Sequence, residues 1–205
     1  MQVKVKICGI TNLADAMAAV DFGADALGFV FFQGSPRFIS YNDAAAIIKK
    51  LPSFTTTIGV FVDERPEQIE KIIGLTYIDV VQLHGNEPPE ICNFSRRIIK
   101  AIRVKSLESL EPLIHYKDRV SAFVLDTFTP EIFGGTGQIF NWDIAIEAKQ
   151  VGRIILAGGL TPDNVAEGVK RVRPYGVDVS SGVESGKGEK DHRKLRLFIE
   201  RAKGA

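Results

Sequence analysis

Eight short apolar runs, rich in β-branched residues, recur along nearly the whole chain. They are VKVKI at 3–7, ALGFVF at 26–31, TTIGVF at 56–61, DVVQL at 79–83, RIIKAI at 97–102, AFVLD at 122–126, RIILAG at 153–158 and GVDVS at 176–180. Several are apolar on consecutive residues rather than on alternate ones. A strand with one wet face alternates, whereas a strand buried on both faces does not. The runs therefore predict parallel strands covered by helices.

Helix-period stretches lie between them. In TNLADAMAAVDFG, residues Leu13, Met17 and Val20 share a stripe, Thr11 or Asn12 supplies a cap, and Gly23 a stop. NDAAAIIKKL, RPEQIEKII, TPDNVAEGVKRV and KDHRKLRLFIERA are of the same kind. Thr161 followed by Pro162 reads as a cap and a proline in the first helical turn. The helices after the fourth and fifth runs are harder to place, and one there is expected to be short or missing. From Cys8 to Ser180 the repeat averages about 25 residues, which suits a compact strand–helix unit. The expected fold is one α/β domain over 1–205, a closed (β/α)8 TIM barrel. A doubly wound open sheet is the alternative. Eight regular units, with no Gly-x-Gly-x-x-Gly after the first strand, favour the barrel.

Composition narrows the function classes. The chain has 205 residues and a formal net charge of +1, with 26 basic and 25 acidic residues scattered along it. That gives no electrostatic reason to expect nucleic acid as a partner. No apolar run approaches the roughly 20 residues that span a bilayer, and the N-terminal residues lack a signal-peptide pattern. Two cysteines, 84 residues apart, form neither a disulfide framework nor a zinc ligand set. A cytoplasmic protein without membrane contact is expected, as a monomer or a homodimer.

Both candidate architectures bind ligands at the carboxyl ends of the strands. The polar and reactive residues of the runs fall there. Cys8 ends the first strand, Arg37 follows the second, Gln82 and His84 end the fourth, and Asp126 ends the sixth. Gly158 and Gly159 follow the seventh, and Asp178, Ser180, Ser181 and Gly182 close the eighth. The loops after strands seven and eight are the usual phosphate sites of such barrels. LAGGLTPDN and SSGVESGKG supply glycines and helix starts at both places. Cys8 and Asp126 form a possible acid–base pair, because burial raises a carboxyl and nearby positive charge lowers a thiol. The alternative for Cys8 is a small buried hydrophobe. Asp126, ending the run AFVL, needs a partner or a purpose. Arg37 suits a bidentate grip on a carboxylate, with a surface arginine as the alternative. Cys92 reads as packing, and His115 and His192 as polar surface. GGTGQIFNW at 134–142 reads as a flap over the site, since the Walker lysine and serine are missing.

The set KICGIT, GFVF with SPR, GVF, VQLHG, LDT, GGTG with FNW, LAGGL and VDVSSGVE with GEKD resembles the phosphoribosylanthranilate isomerase family, in order from Lys6 to Asp191. The resemblance implies an isomerase of tryptophan biosynthesis. Such an enzyme converts N-(5-phosphoribosyl)anthranilate to 1-(2-carboxyphenylamino)-1-deoxyribulose 5-phosphate by an Amadori rearrangement. It implies Asp126 as general acid, Cys8 as general base and Arg37 as partner of the anthranilate carboxylate. Gly158, Gly159, Ser180, Ser181 and Gly182 would hold the phosphate, and Gln82, His84 and Asp178 would line the site. No metal or organic cofactor is implied, because the substrate forms its own electron sink. The rivals are the aldose–ketose isomerase of histidine biosynthesis, which resembles a paired-aspartate site, and a non-catalytic phosphate-binding barrel.

Overall fold

A computed structural model describes residues 2–127 and 141–205. Residues 134–140 of the expected flap lie outside the described residues. The eight runs form eight parallel strands in a closed barrel: β1 (Lys4–Cys8), β2 (Ala26–Val30), β3 (Thr56–Phe61), β4 (Val80–Leu83), β5 (Arg97–Val104), β6 (Ala122–Thr127), β7 (Ile154–Leu156) and β8 (Gly176–Val179). Each pairs with its neighbours in chain order, and β1 pairs with β8 to close the ring.

The consecutive apolar pattern has its cause in this closure. Val5, Ile7, Leu27, Phe29, Phe123 and Leu125 face outward and pack under the helices. Ile58, Val80, Ile99, Ala101, Ala122, Val124, Ile155 and Ala157 form a separate cluster inside the barrel. Neither face meets water. Each fully buried Leu or Phe of the outer layer contributes about 1.5–3 kcal/mol relative to exposure.

The helices follow their start signals. They are α1 (Leu13–Asp21), α2 (Tyr41–Ile48), α3 (Pro66–Thr76), α4 (Leu113–Tyr116), α5 (Trp142–Ala148), α6 (Val165–Val172) and α7 (His192–Lys203). Asn12, Ser40, Asn141 and Asp191 cap α1, α2, α5 and α7 through side-chain oxygens that accept backbone N–H groups. After β4 there is only a 3₁₀ turn, Pro89–Ile91, and after β5 only a 3₁₀ turn and the four-residue α4. Two prolines and a buried ion pair explain the first case. Glu87, 2% exposed, accepts from Lys100 at 2.6 Å and from the Gly85 and Asp63 N–H groups. This clamp fixes the Gly85 turn that follows His84.

One helix start lies later than the sequence implies. Thr161 Oγ1 does accept the Asp163 N–H, at 3.2 Å, but α6 begins at Val165, after Asn164. Residues 162–164 form a turn, and Asn164 is used elsewhere. Its Nδ2 donates to Gly159 O at 2.9 Å and its Oδ1 accepts from Thr161 N at 2.8 Å. The side chain thus staples the loop after β7. A short hairpin, β9 (Glu184–Gly186) with β10 (Glu189–Lys190), sits between β8 and α7. Among the described residues no helix is long and apolar enough to cross a membrane.

Candidate active site

The two mouths of the barrel differ in chemistry. The amino-terminal mouth is ringed by Lys4, Asp25, Phe54, Arg97, Arg153 and Tyr175. The carboxyl-terminal mouth holds a cavity lined by Cys8, Arg37, Gln82, His84, Asp126, Gly158, Gly159, Asp178, Ser180, Ser181 and Gly182. The structure therefore brings every site residue expected from sequence to one cavity.

The alternation of each strand decides what points in. On β1 the inward positions are Lys4, Lys6 and Cys8, and the outward ones Val5 and Ile7. Gly28, paired with Cys8 across β2, makes room for them. An alanine Cβ there would lie 2.9 Å from Cys8 Sγ and 3.1 Å from Lys6 Cε. Gly28→Ala is therefore expected to destabilise by about 1–3 kcal/mol and to displace the sulfur. A thermal melt with a cysteine alkylation rate checks both, and an unchanged melt and rate would show that the wall yields freely.

A buried network underlies the cavity. Lys6, 4% exposed, donates to Asp178 Oδ2 at 2.6 Å and to Gln82 Oε1 at 2.9 Å. Gln82 Nε2 lies 3.0 Å from His84 Nδ1. His84 Nε2 lies 3.4 Å from Asp126 Oδ2, within ion-pair reach but too poorly aligned for a hydrogen bond. Asp126 Oδ1 accepts the Thr127 N–H at 2.8 Å. Asp178 Oδ1 and Ser180 Oγ are buried without a hydrogen-bond partner among the described residues. Buried polar atoms left open in a cavity wall suit a polar ligand.

Burial pushes the Cys8 thiol up from its ordinary value. Lys6 opposes this most strongly, Asp178 adds to it, and Lys190 opposes it. For Lys6 itself burial works against the charge, but Asp178 and the Cys8 sulfur together hold the ammonium above its ordinary value.

Arg37 stands at the cavity rim, but not as a free fork. Its Nε and Nη2 each donate to Glu184 at 2.7 Å. Glu184 also accepts from Lys190 at 2.9 Å, and Lys190 donates to the Cys8 carbonyl at 2.7 Å. Burial works against the Glu184 charge, yet Arg37 and Lys190 hold its carboxyl below the usual range. Burial pushes Lys190 down. The two bonds to Glu184 use the Nε–H and one Nη2 N–H, so both N–H groups of Nη1, which bond no described residue, and the second of Nη2 are left to meet a ligand.

The loop after β7 has the form of an anion cradle. Gly158 and Gly159 take φ of 75° and 65°, which suit residues without a Cβ. A Cβ on Gly158 would collide with Thr127 N and Oγ1. The N–H groups of both glycines have no backbone partner among the described residues. Ser181 and Gly182, in a 3₁₀ turn after β8, line the same end of the cavity.

Sequence reasoning passed over Lys6, Glu184 and Lys190. The signal for Lys6 was its parity with Cys8 on a strand buried on both faces. Glu184 and Lys190 lie in a Gly/Ser-rich stretch that reads as exposed loop, and only the fold shows them buried.

Comparison with known proteins agrees with this geometry. The family profile described as N-(5'phosphoribosyl)anthranilate (PRA) isomerase matches residues 5–201. The N-(5'-phosphoribosyl)anthranilate isomerase of Geobacter sulfurreducens is 56% identical over 203 residues, covering 98% of this chain and 99% of that protein. A crystal structure of phosphoribosyl anthranilate isomerase in complex with reduced 1-(o-carboxyphenylamino)-1-deoxyribulose 5-phosphate superposes with a TM-score of 0.90 at 42% identity, covering 99% of this chain and 100% of that one. The structure of mutually generated monomers of the dimeric enzyme from Thermotoga maritima gives a TM-score of 0.88 at 41% identity, again over 99% and 100% of the two chains. A closed barrel with a thiol and a carboxyl at one mouth, matched along nearly its full length, belongs to the N-(5'-phosphoribosyl)anthranilate isomerase family.

Proposed function

We propose that this chain catalyses the Amadori rearrangement of N-(5-phosphoribosyl)anthranilate to 1-(2-carboxyphenylamino)-1-deoxyribulose 5-phosphate, a step of tryptophan biosynthesis. One observation carries the reading: Cys8 and Asp126 come from strands three apart around the ring and line the same cavity as the glycine cradle after β7. A phosphosugar held there by its phosphate reaches back between a base and an acid.

Asp126 gives a proton to the furanose ring oxygen as the C1–O bond breaks, and the anilino nitrogen's lone pair forms an iminium. The C2 proton is now acidic, so the Cys8 thiolate is base enough to take it. The resulting enolamine loses its C2 hydroxyl proton and gains one at C1, which yields the ketone. Atoms balance within the substrate, and acid and base return to their starting states. Each proton-transfer group of this kind is worth about 10²–10⁴-fold. Gly158, Gly159, Ser181 and Gly182 hold the phosphate, with Ser180 Oγ beside them. Gln82, His84 and Asp178 form the wall against the sugar.

Arg37 Nη1 meets the anthranilate carboxylate, while Glu184 holds the guanidinium in place. Arg37→Ala is expected to raise KM by about tenfold or more, at least as much as it lowers kcat. Steady-state kinetics check this, and an unchanged KM removes Arg37 from the binding role.

The test of the whole reading is the loss of substrate fluorescence. Phosphoribosylanthranilate is made in situ from anthranilate and the activated ribose phosphate, with spontaneous hydrolysis subtracted. Rapid decay with the wild-type protein supports the isomerase. No decay above the blank overturns it and makes the histidine-pathway aminoaldose the next substrate to try.

A further inference from the structure

Lys6 has no task in the chemistry above, yet it is built into the floor of the site. It sits two residues before Cys8 on β1, so both side chains face inward, one layer apart. Both crowd the space left open by Gly28. Stability does not account for it, because a buried ion pair is often replaced by well-packed apolar residues at no loss. Ile58, Val80, Ile99 and Val124 show that the lumen packs readily with apolar side chains.

Two consequences follow from its bonds. The first concerns the base. The ionisable groups that face Cys8 are Lys6 from β1, Asp178 from β8, Lys190 from β10 and Arg37 from the loop after β2. Lys190 and Arg37 share Glu184, and Lys190 spends a further N–H on the Cys8 carbonyl. Lys6 is the cation that acts most strongly on the sulfur. The second concerns the acid. An ammonium can only donate, so Gln82 must turn Oε1 toward Lys6. Gln82 Nε2 then donates to His84 Nδ1. The neutral imidazole therefore carries its hydrogen on Nε2, the atom that faces Asp126. Hydrogen bonds run from Lys6 through Gln82 to His84, and at either end Cys8 and Asp126 stand in close approach.

We infer that Lys6 is a positioning residue for both halves of the reaction: its ammonium, sharing the space at Gly28 with the Cys8 sulfur, favours the thiolate that burial disfavours and, through Gln82, sets the His84 tautomer presented to Asp126. This rests on the isomerase reading for its purpose, but its test needs no substrate.

The experiment uses the full chain with Cys92→Ser, so that Cys8 is the remaining thiol. Iodoacetamide alkylation is followed against pH for this protein, for Lys6→Met, for Lys6→Arg and for the double variant Lys6→Met/Asp178→Asn. The double variant matters twice. It removes the carboxylate that Lys6→Met would leave buried and unpaired, so it keeps the fold if the single variant does not. It also removes Asp178 as a source of any upward shift. In the double variant the alkylation midpoint is expected to rise by about one pH unit or more, and Lys6→Arg is expected to restore it toward the parent. A double variant that folds with an unshifted midpoint overturns the thiolate half. The His84 half is read from ¹⁵N NMR of the imidazole. Hydrogen on Nε2 in the parent, lost in the double variant, supports it; hydrogen on Nδ1 in the parent overturns it. Absence of turnover in the wild type would overturn the isomerase reading alone and leave both readouts standing.

Discussion

Cys8→Ala is expected to lower kcat by about 10²–10⁴-fold while changing stability by no more than about 1 kcal/mol. The side chain is half-buried at the cavity wall, so its loss leaves little void. What is lost is the only group on β1 that can take a proton from C2 while Lys6 is held as an ammonium by Asp178. Cys8→Ser sharpens the test, because it keeps the shape and replaces the thiol by a far weaker acid. Both variants are expected to fail alike in the fluorescence assay, with circular dichroism melts close to the parent. A Cys8→Ser enzyme with near-normal kcat would remove the thiolate from the mechanism.

Asp126→Asn is expected to cost a comparable factor, about 10²–10⁴ in kcat, with KM changed much less. Asparagine is nearly isosteric, and its oxygen can still accept the Thr127 N–H that the native Oδ1 accepts at 2.8 Å. The backbone after β6 is thus preserved while the transferable proton is gone. Opening the furanose ring without a donor leaves an alkoxide as the leaving group, and that step then limits turnover. A variant within tenfold of wild-type kcat would place proton donation elsewhere. His84, whose Nε2 lies 3.4 Å from Asp126, would be the next candidate.

Much of the fold is written plainly in the chain, because closure of a parallel barrel leaves no strand face wet. That is why AFVL, RIIL and TTIGVF read as unbroken apolar runs, and why the polar residue that ends such a run is informative. Cys8, Asp126 and Asp178 were legible for this reason. Lys6 was not, because VKVKI looks like a strand with one wet face. The alternation is real, but its polar face is the barrel lumen, where Lys4 and Lys6 share parity with Cys8. Arg37 was placed correctly at the mouth, but its commitment to Glu184 was invisible, since 147 residues separate the two. The missing helix after β4 has a similar origin: the buried Glu87–Lys100 pair, which ties that segment to β5, could not be read from the local sequence.

The pairing of β1 with β8 sets an order of events during synthesis. Lys6 and Asp178 are 172 positions apart, so Lys6 leaves the ribosome long before its carboxylate does. Seven strands can emerge and begin to associate while the ring is still open, with unpaired edges at β1 and β7. In that interval an ammonium in the lumen has no counter-ion, and water must keep access to it. Docking of β8 closes the hydrogen-bond ladder, supplies the counter-ion and completes the floor beneath Cys8 in one event. A nascent chain halted before Asp178 therefore has Cys8, Asp126 and the Gly158–Gly159 loop, but not the finished cavity. The cavity is completed only after β8 has docked and Glu184 and Lys190, which follow it, have closed on Arg37 and the Cys8 carbonyl.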